Sequence, residues 1–195
     1  MILPLSFYSR STLKVLEDLI GAVLVRKSED GLTSGIIVEA EAYRGEDDPA
    51  SFAFRGRTKR SEMLYGLPGR AFVYLTYGMH YLLNLITERE NFPAAILIRA
   101  LEPREGISLM KKRRKTESLL NLCSGPAKIC QAFGIDLSLN GVSLSSSRSP
   151  LFIKGGDRGE KGKKELILRP RIGIREGKER LWRVYLKGSP FISVK

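Results

Sequence analysis

The stretch Glu39-Ala40-Glu41-Ala42-Tyr43-Arg44-Gly45 sets two carboxylates and a phenol at alternate positions, directly after the apolar run Ile36-Ile37-Val38. Alternate side chains of an extended strand share a face, so Glu39, Glu41 and Tyr43 are expected side by side at the end of a buried strand. Neighbouring carboxylates repel, and partial burial raises the pKa of at least one. A group tuned in this way takes a proton from water or delivers one. The plainer alternative is a surface pair bonded to nearby arginines. The phenol on the same face favours a pocket for a flat substrate.

A second constellation is VYLTYGMHYLLN, residues 73–84. Alternation places Tyr74 and Thr76 on one face of an incoming strand, and Tyr77-Gly78 forms a turn with Tyr77 at its tip. An aromatic side chain on such a turn can stack on a base or wedge between base pairs; alternatively the tyrosines pack on their own hairpin. Asn84 lies in an apolar strand and requires a partner if buried, as structural glue or as a contact to a substrate edge. In Ser124-Gly125-Pro126-Ala127-Lys128, free amides at a helix start and the Lys128 ammonium can clamp a phosphate, although a simple capped helix fits equally. His80 is the single histidine, so a packing or hydrogen-bonding role is expected and no metal site. The run Lys111-Lys112-Arg113-Arg114-Lys115 reads as a solvated helix face that adds non-specific phosphate attraction.

These groups are carried by a chain of 195 residues, expected to form one domain over 1–195. Its 33 Lys+Arg against 21 Asp+Glu leave a formal charge of +12, which attracts polyanions: nucleic acid first, an anionic membrane surface second. No apolar run approaches the ~20 residues of a membrane span, and the N-terminus turns polar too early for a signal peptide. With only Cys123 and Cys130, seven apart in a segment read as helical, a disulfide framework is not expected and a reducing, cytoplasmic setting is. Ser9 or Ser11 can cap a first helix with apolar face Leu13, Leu16, Leu19 and Ile20, ended by Gly21. Strands are expected at 22–25, 35–42, 71–76, 80–86, 94–101, 165–169, 171–174 and 182–186, and helices at 105–122 and from Pro126 to just before Gly134. A long basic loop spans 44–69, and a glycine-rich, charged loop spans 154–165. Strands predominate without βαβ alternation, giving an α+β domain on an antiparallel sheet.

Taken in order, VEAEAYRGEDDPAS, TKRSEMLYGLPGRAFVYLTYGMHYLLNL, ILIRALEP, CSGPAKICQAFGI, RPRIGI and GSPFISV resemble the alkyladenine (3-methyladenine) DNA glycosylase family over nearly the whole chain. The resemblance implies a curved, open barrel-like antiparallel sheet flanked by helices. It also implies a monofunctional enzyme that flips alkylated or deaminated purines out of duplex DNA and hydrolyses the N-glycosidic bond. On that resemblance Glu41 is the base that activates water and Arg99 supports the water and nearby backbone. Tyr43 and Tyr74 wall the flipped base, Phe52 and Ala53 complete the pocket, and Asn84 discourages guanine. Tyr77 fills the gap left in the duplex, with Met79 beside it; Arg57, Arg60 and Lys128 contact DNA. No metal or cofactor is implied, the partner is double-stranded DNA containing damaged purines, and a monomer is expected.

Two departures stand out. Phe52 occupies the place of a histidine usual in the family, keeping an aromatic wall but deleting the imidazole hydrogen bonds, and Ser61 replaces a common asparagine. The first motivates an alternative, a lesion-binding protein with weak or lost catalysis. A carbohydrate glycosidase using Glu39 and Glu41 as its carboxylate pair is a third reading, disfavoured by the positive charge.

Overall fold

The computed structural model describes residues 1–156 and 165–194. Its strands are β1 Val23–Ser28, β2 Gly31–Arg44, β3 Ala71–Thr76, β4 His80–Ile86, β5 Ala94–Pro103, β6 Leu151–Lys154, β7 Leu166–Arg169 and β8 Arg183–Leu186. The helices are α1 Leu5–Tyr8, α2 Thr12–Leu19, α3 Ile107–Arg114 and α4 Pro126–Phe133. The strands run antiparallel in the order β3-β4-β5-β2-β1-β6, with β8 against β2 and β7 against β8. The sheet curls into a half-barrel, the α+β architecture expected from the sequence. Among the described residues no helix is long and apolar enough to cross a membrane.

β2 is the spine of the sheet, and it changes partner midway. Residues 31–36 pair with β1, whereas residues 39–41 pair with β8. Its register against β5 is irregular at the same place, between Ile37, Glu39 and Ala40. Such an irregularity twists a strand and re-aims its side chains. Glu39 and Glu41 therefore sit where β2 leaves one neighbour and takes another.

The main core joins the buried residues Val15, Leu16 and Leu19 of α2 and Ile129, Cys130, Ala132 and Phe133 of α4 to Ile37, Ala40 and Ala42 of β2 and Ile96 and Ile98 of β5. Each fully buried large side chain contributes about 1.5–3 kcal/mol. A smaller cluster of Ala53, Leu64, Tyr65, Phe72, Ile86 and Ala95 lies beneath the 44–69 loop, with Phe52, Met63 and Tyr74 packed against it. That cluster orders the loop around two short 3₁₀ turns, Phe52–Arg55 and Glu62–Tyr65.

Several elements differ from expectation. The helix read over 105–122 ends at Arg114, because Lys115 turns left-handed at φ 51° and a 3₁₀ turn, Leu119–Asn121, follows. Only Met110 of α3 is buried, so propensity has no core to sustain the helix through its basic run. Arg113 instead reaches sideways to the Ala132 carbonyl at 3.3 Å, Ser28 Oγ at 3.0 Å and Asp30 at 2.8 Å. Cys123 precedes α4 rather than lying in a helix, and it and Cys130 are free and buried. Residues 171–174 form no strand and bend at Ile172 and Gly173; α1 and β6 had no strong signal. Of the loop expected at 154–165, residues 157–164 lie outside the described residues.

Ser11 occupies the N-cap position of α2 but makes no side-chain cap bond. Glu88 does that work from across the fold: its Oε1 accepts from the Thr12 N–H at 2.8 Å, the Thr12 hydroxyl at 2.9 Å and Arg44 Nε at 2.9 Å. A charged acceptor here satisfies an orphan amide and complements the helix dipole. Glu88→Ala is expected to lower stability by about 1–3 kcal/mol, and Glu88→Gln by distinctly less, in urea unfolding.

Candidate active site

Glu39 and Glu41 are both fully buried. Arg99 of β5 lies between them, with Nη1 3.2 Å from Glu41 Oε2 and Nε 3.4 Å from Glu39 Oε1. β8 and the C-terminal segment close the other side of Glu39, through Arg183 Nη1 at 3.0 Å, the Ser193 N–H at 2.6 Å and the Ser193 hydroxyl at 2.9 Å. Glu39 thus accepts three hydrogen bonds, pairs with both Arg99 and Arg183, and serves as a structural anchor.

Glu41 also accepts three hydrogen bonds but pairs with one guanidinium where Glu39 pairs with two. Oε1 accepts from the Ile172 N–H at 2.7 Å; Oε2 accepts from the Tyr43 hydroxyl at 2.9 Å and from Arg99. Burial pushes its carboxyl above the ordinary glutamate value, against the opposing pull of Arg99, the Ile172 amide and the Tyr43 hydroxyl. Burial also drives the Tyr43 phenol far up, helped by the adjacent Glu41 charge. Tyr43 therefore stays neutral and donates its proton to Glu41.

A cavity of about 680 Å³ opens beside this cluster. Tyr43, Phe52, Tyr74, Asn84, Arg99 and Ile172 contribute to its wall. The Phe52 and Tyr74 rings meet edge to face, 5.0 Å apart at 77°, and Phe72 backs Tyr74 at 5.3 Å. Burial pushes the Tyr74 phenol up to about 12. Asn84, 4% exposed, donates Nδ2 to the Phe72 carbonyl at 3.4 Å and faces the cavity. Pro126 and Ala127 at the start of α4 line the same space. Glu41 itself does not form part of the lining: it lies one hydrogen bond behind it, and all of its hydrogen-bond partners, Tyr43, Arg99 and Ile172, do.

The β3–β4 hairpin forms the rim. Its three-residue loop runs through Tyr77, Gly78 and Met79, with Tyr77 at φ 50° and Gly78 at φ 69°. A left-handed backbone costs a non-glycine residue roughly 1–2 kcal/mol. The strain holds Tyr77 90% exposed at the tip, with Met79 70% exposed beside it. His80, for which a packing or hydrogen-bonding role is expected from sequence, is exposed and faces the cavity.

The basic loop divides its residues. Arg60 lines the cavity. Arg57 is bound by Glu62 at 2.8 and 2.9 Å and lies over Tyr65. Ala53 is buried behind the wall, its N–H donated to Ser51 Oγ at 3.1 Å. Ser61 staples the loop: its Oγ accepts from the Thr58 N–H at 2.8 Å and donates to the Gly56 carbonyl at 2.9 Å. Lys128 bonds Ser124 Oγ at 3.1 Å and stands outside the lining.

One pair lies within the motifs EDDPAS and RPRIGI but received no role from the sequence. Arg171 and Asp48 form a bidentate ion pair at 2.6 and 2.7 Å with both side chains fully buried. Arg171 also donates to the Ala42 carbonyl at 3.0 Å and lies between the Tyr43 ring, 4.8 Å away, and Trp182, 5.2 Å away. It thereby fixes the plane of Tyr43. Among 33 Lys+Arg nothing local marks Arg171 as buried.

The family model described as methylpurine-DNA glycosylase matches residues 6–190. A protein of Carboxydothermus hydrogenoformans provisionally named 3-methyladenine DNA glycosylase is 45% identical over 195 residues, covering 100% of both chains. Proteins under the same provisional name from Prosthecochloris aestuarii and Methanocella arvoryzae are 44% and 43% identical, over 96% and 98% of this chain and 88% and 96% of theirs.

Asp48→Ala strands a buried guanidinium. Stability is expected to fall by about 3–5 kcal/mol in denaturant unfolding, far more than for removal of the exposed partner in Glu62→Ala.

Proposed function

This chain belongs to the methylpurine-DNA glycosylase family, and on that premise we propose that it flips damaged purines out of duplex DNA and hydrolyses their N-glycosidic bonds, acting as a cytoplasmic monomer without a cofactor. The observation that carries the reading is the position of Glu41, a carboxylate raised above its ordinary pKa and bonded to three residues that line an aromatic-walled cavity.

In this scheme a purine inside the duplex is unreachable until extruded, at a cost of a few kcal/mol. Stacking between Tyr43 and Tyr74 recovers roughly 1–3 kcal/mol per base. Tyr77, exposed on its strained turn, fills the gap in the stack. The Tyr43 hydroxyl is the neutral side-chain donor on Glu41 and orients the carboxylate that receives water. Glu41 takes a proton from that water as the oxygen bonds to the sugar C1′. The bond from C1′ to the purine nitrogen breaks with its electron pair leaving on the base, and the product is an abasic sugar. In this scheme no lysine forms an imine with that sugar, so base removal proceeds without strand cleavage. Asn84 faces the purine edge, and Lys128 meets the phosphate backbone.

Two features favour the second reading, a lesion binder with weak catalysis: Glu41 is fully buried behind the wall, and Phe52 offers no ring hydrogen bond. Single-turnover excision separates the two. Wild type is expected to convert duplex containing 3-methyladenine or hypoxanthine into alkali-labile abasic product. Tight binding with negligible turnover, unrescued by Phe52→His, selects the binder.

Glu41→Gln is expected to slow excision about 10²–10⁴-fold while keeping affinity for damaged duplex. The raised carboxyl fixes the sign of the pH effect. The working base exists only above its folded-state pKa, so the acid limb of kcat/KM lies above the ordinary value of 4.5 and vanishes in Glu41→Gln. The same shift means that ionising Glu41 costs stability as pH rises from the unfolded to the folded pKa.

Tyr77→Ala is expected to weaken capture of the flipped state, read by fluorescence of a base analogue beside the lesion. Lys128→Ala should weaken binding about equally for every sequence and lower its salt dependence.

A further inference from the structure

The charges around the cavity are unevenly compensated. Arg99 and Arg183 are matched by Glu39 and Glu41, and Arg171 is matched by Asp48. The cavity wall carries two guanidinium groups, Arg60 and Arg99, and no carboxylate among the described residues. Arg60 has no ion-pair partner among the described residues; its guanidinium instead lies 4.1 Å from the centroid of the Phe52 ring. The aromatic wall repeats this arrangement at Tyr43, whose ring has the Arg171 guanidinium 4.8 Å from its centroid. The attraction of a ring for a cation comes from its quadrupole, and a cation already in contact opposes a second one. The positive field of Arg60 also extends to the Tyr74 hydroxyl, where it opposes the rise caused by burial.

Lesions of the purine ring fall into two electrostatic classes. Alkylation at a ring nitrogen such as N7 leaves a cationic base, whereas deamination gives a neutral one. Resting on the glycosylase reading, we infer that Arg60 is a specificity-determining residue: stacked on Phe52 at the cavity wall, it disfavours cationic bases and biases the pocket toward neutral lesions. A guanidinium at this position leaves stacking and edge contacts of a neutral base intact. A base bearing a full charge meets like charge in a space partly shielded from water, where screening is weaker than in bulk solvent.

The test is single-turnover excision from otherwise identical duplexes containing either hypoxanthine or 7-methylguanine, with wild type, Arg60→Met and Arg60→Lys. Arg60 is exposed, so thermal unfolding is expected to coincide for all three. Arg60→Met should raise the ratio of 7-methylguanine to hypoxanthine excision by about fivefold or more, the scale of one partly shielded charge contact, and Arg60→Lys by less than about twofold. Raising salt should increase that ratio in wild type and not in Arg60→Met. An unchanged ratio in Arg60→Met overturns the inference. So does an equal loss on both lesions accompanied by weaker binding to undamaged duplex, which assigns Arg60 to a phosphate contact. Excision by wild type of neither lesion, nor of 3-methyladenine, overturns the glycosylase reading and this inference with it, whereas normal wild-type excision with an unmoved ratio overturns the inference alone.

Discussion

The Arg99 guanidinium lies between two fully buried carboxylates, and the architecture of the site depends on that contact. Two adjacent anions without solvent are untenable alone, since each loses its hydration and each repels the other. Arg99 from β5 and Arg183 from β8 restore neutrality, and each comes from a strand paired with β2. Removing one member of such a cluster leaves an uncompensated charge in a medium that screens it poorly. The partner switch of β2 is therefore an electrostatic requirement as much as a topological one: it brings cations from two directions onto one short stretch.

The division of labour between the two glutamates follows from which partners each one holds, since each accepts three hydrogen bonds. Glu39 is engaged by Arg99, Arg183 and both donors of Ser193, which ties the end of the chain to the sheet. Glu41 accepts from Tyr43, Ile172 and Arg99, each of which borders the cavity. Residues of the same type, two apart on one strand, acquire different chemistry because one is enclosed by β8 and the C-terminal segment and the other faces the aromatic wall. That wall is itself made rigid from behind. Arg171, pinned by Asp48, backs Tyr43, and the cluster under the 44–69 loop supports Phe52 and Tyr74.

Long-range and local electrostatics act at different scales in this molecule. The formal charge of +12 draws polyanions over distances set by the ionic atmosphere. Inside the site most cations are individually matched, so the surface field and the chemistry of the cavity are set by different residues.

Much of the framework was legible in the sequence. Strands 71–76 and 80–86 have the expected bounds, because their apolar spacing and the Tyr77-Gly78 turn are local signals. Pro126 and Gly134 likewise fix both ends of α4 through backbone geometry confined to a few residues. The ordered run of motifs identified the family, and the strand pattern placed Glu39, Glu41 and Tyr43 close together. The tertiary structure decided the rest. Whether Ser11 or Glu88 caps α2, where α3 stops, that His80 faces the cavity and that Glu41 sits behind its lining all depend on contacts between distant residues. Arg171 and Asp48 lie 123 positions apart, and nothing around either one marks it as buried. Burial and pairing are properties of a packed neighbourhood, assembled only when the sheet curls, and periodicity along a chain carries no record of which distant side chain will supply the opposite charge.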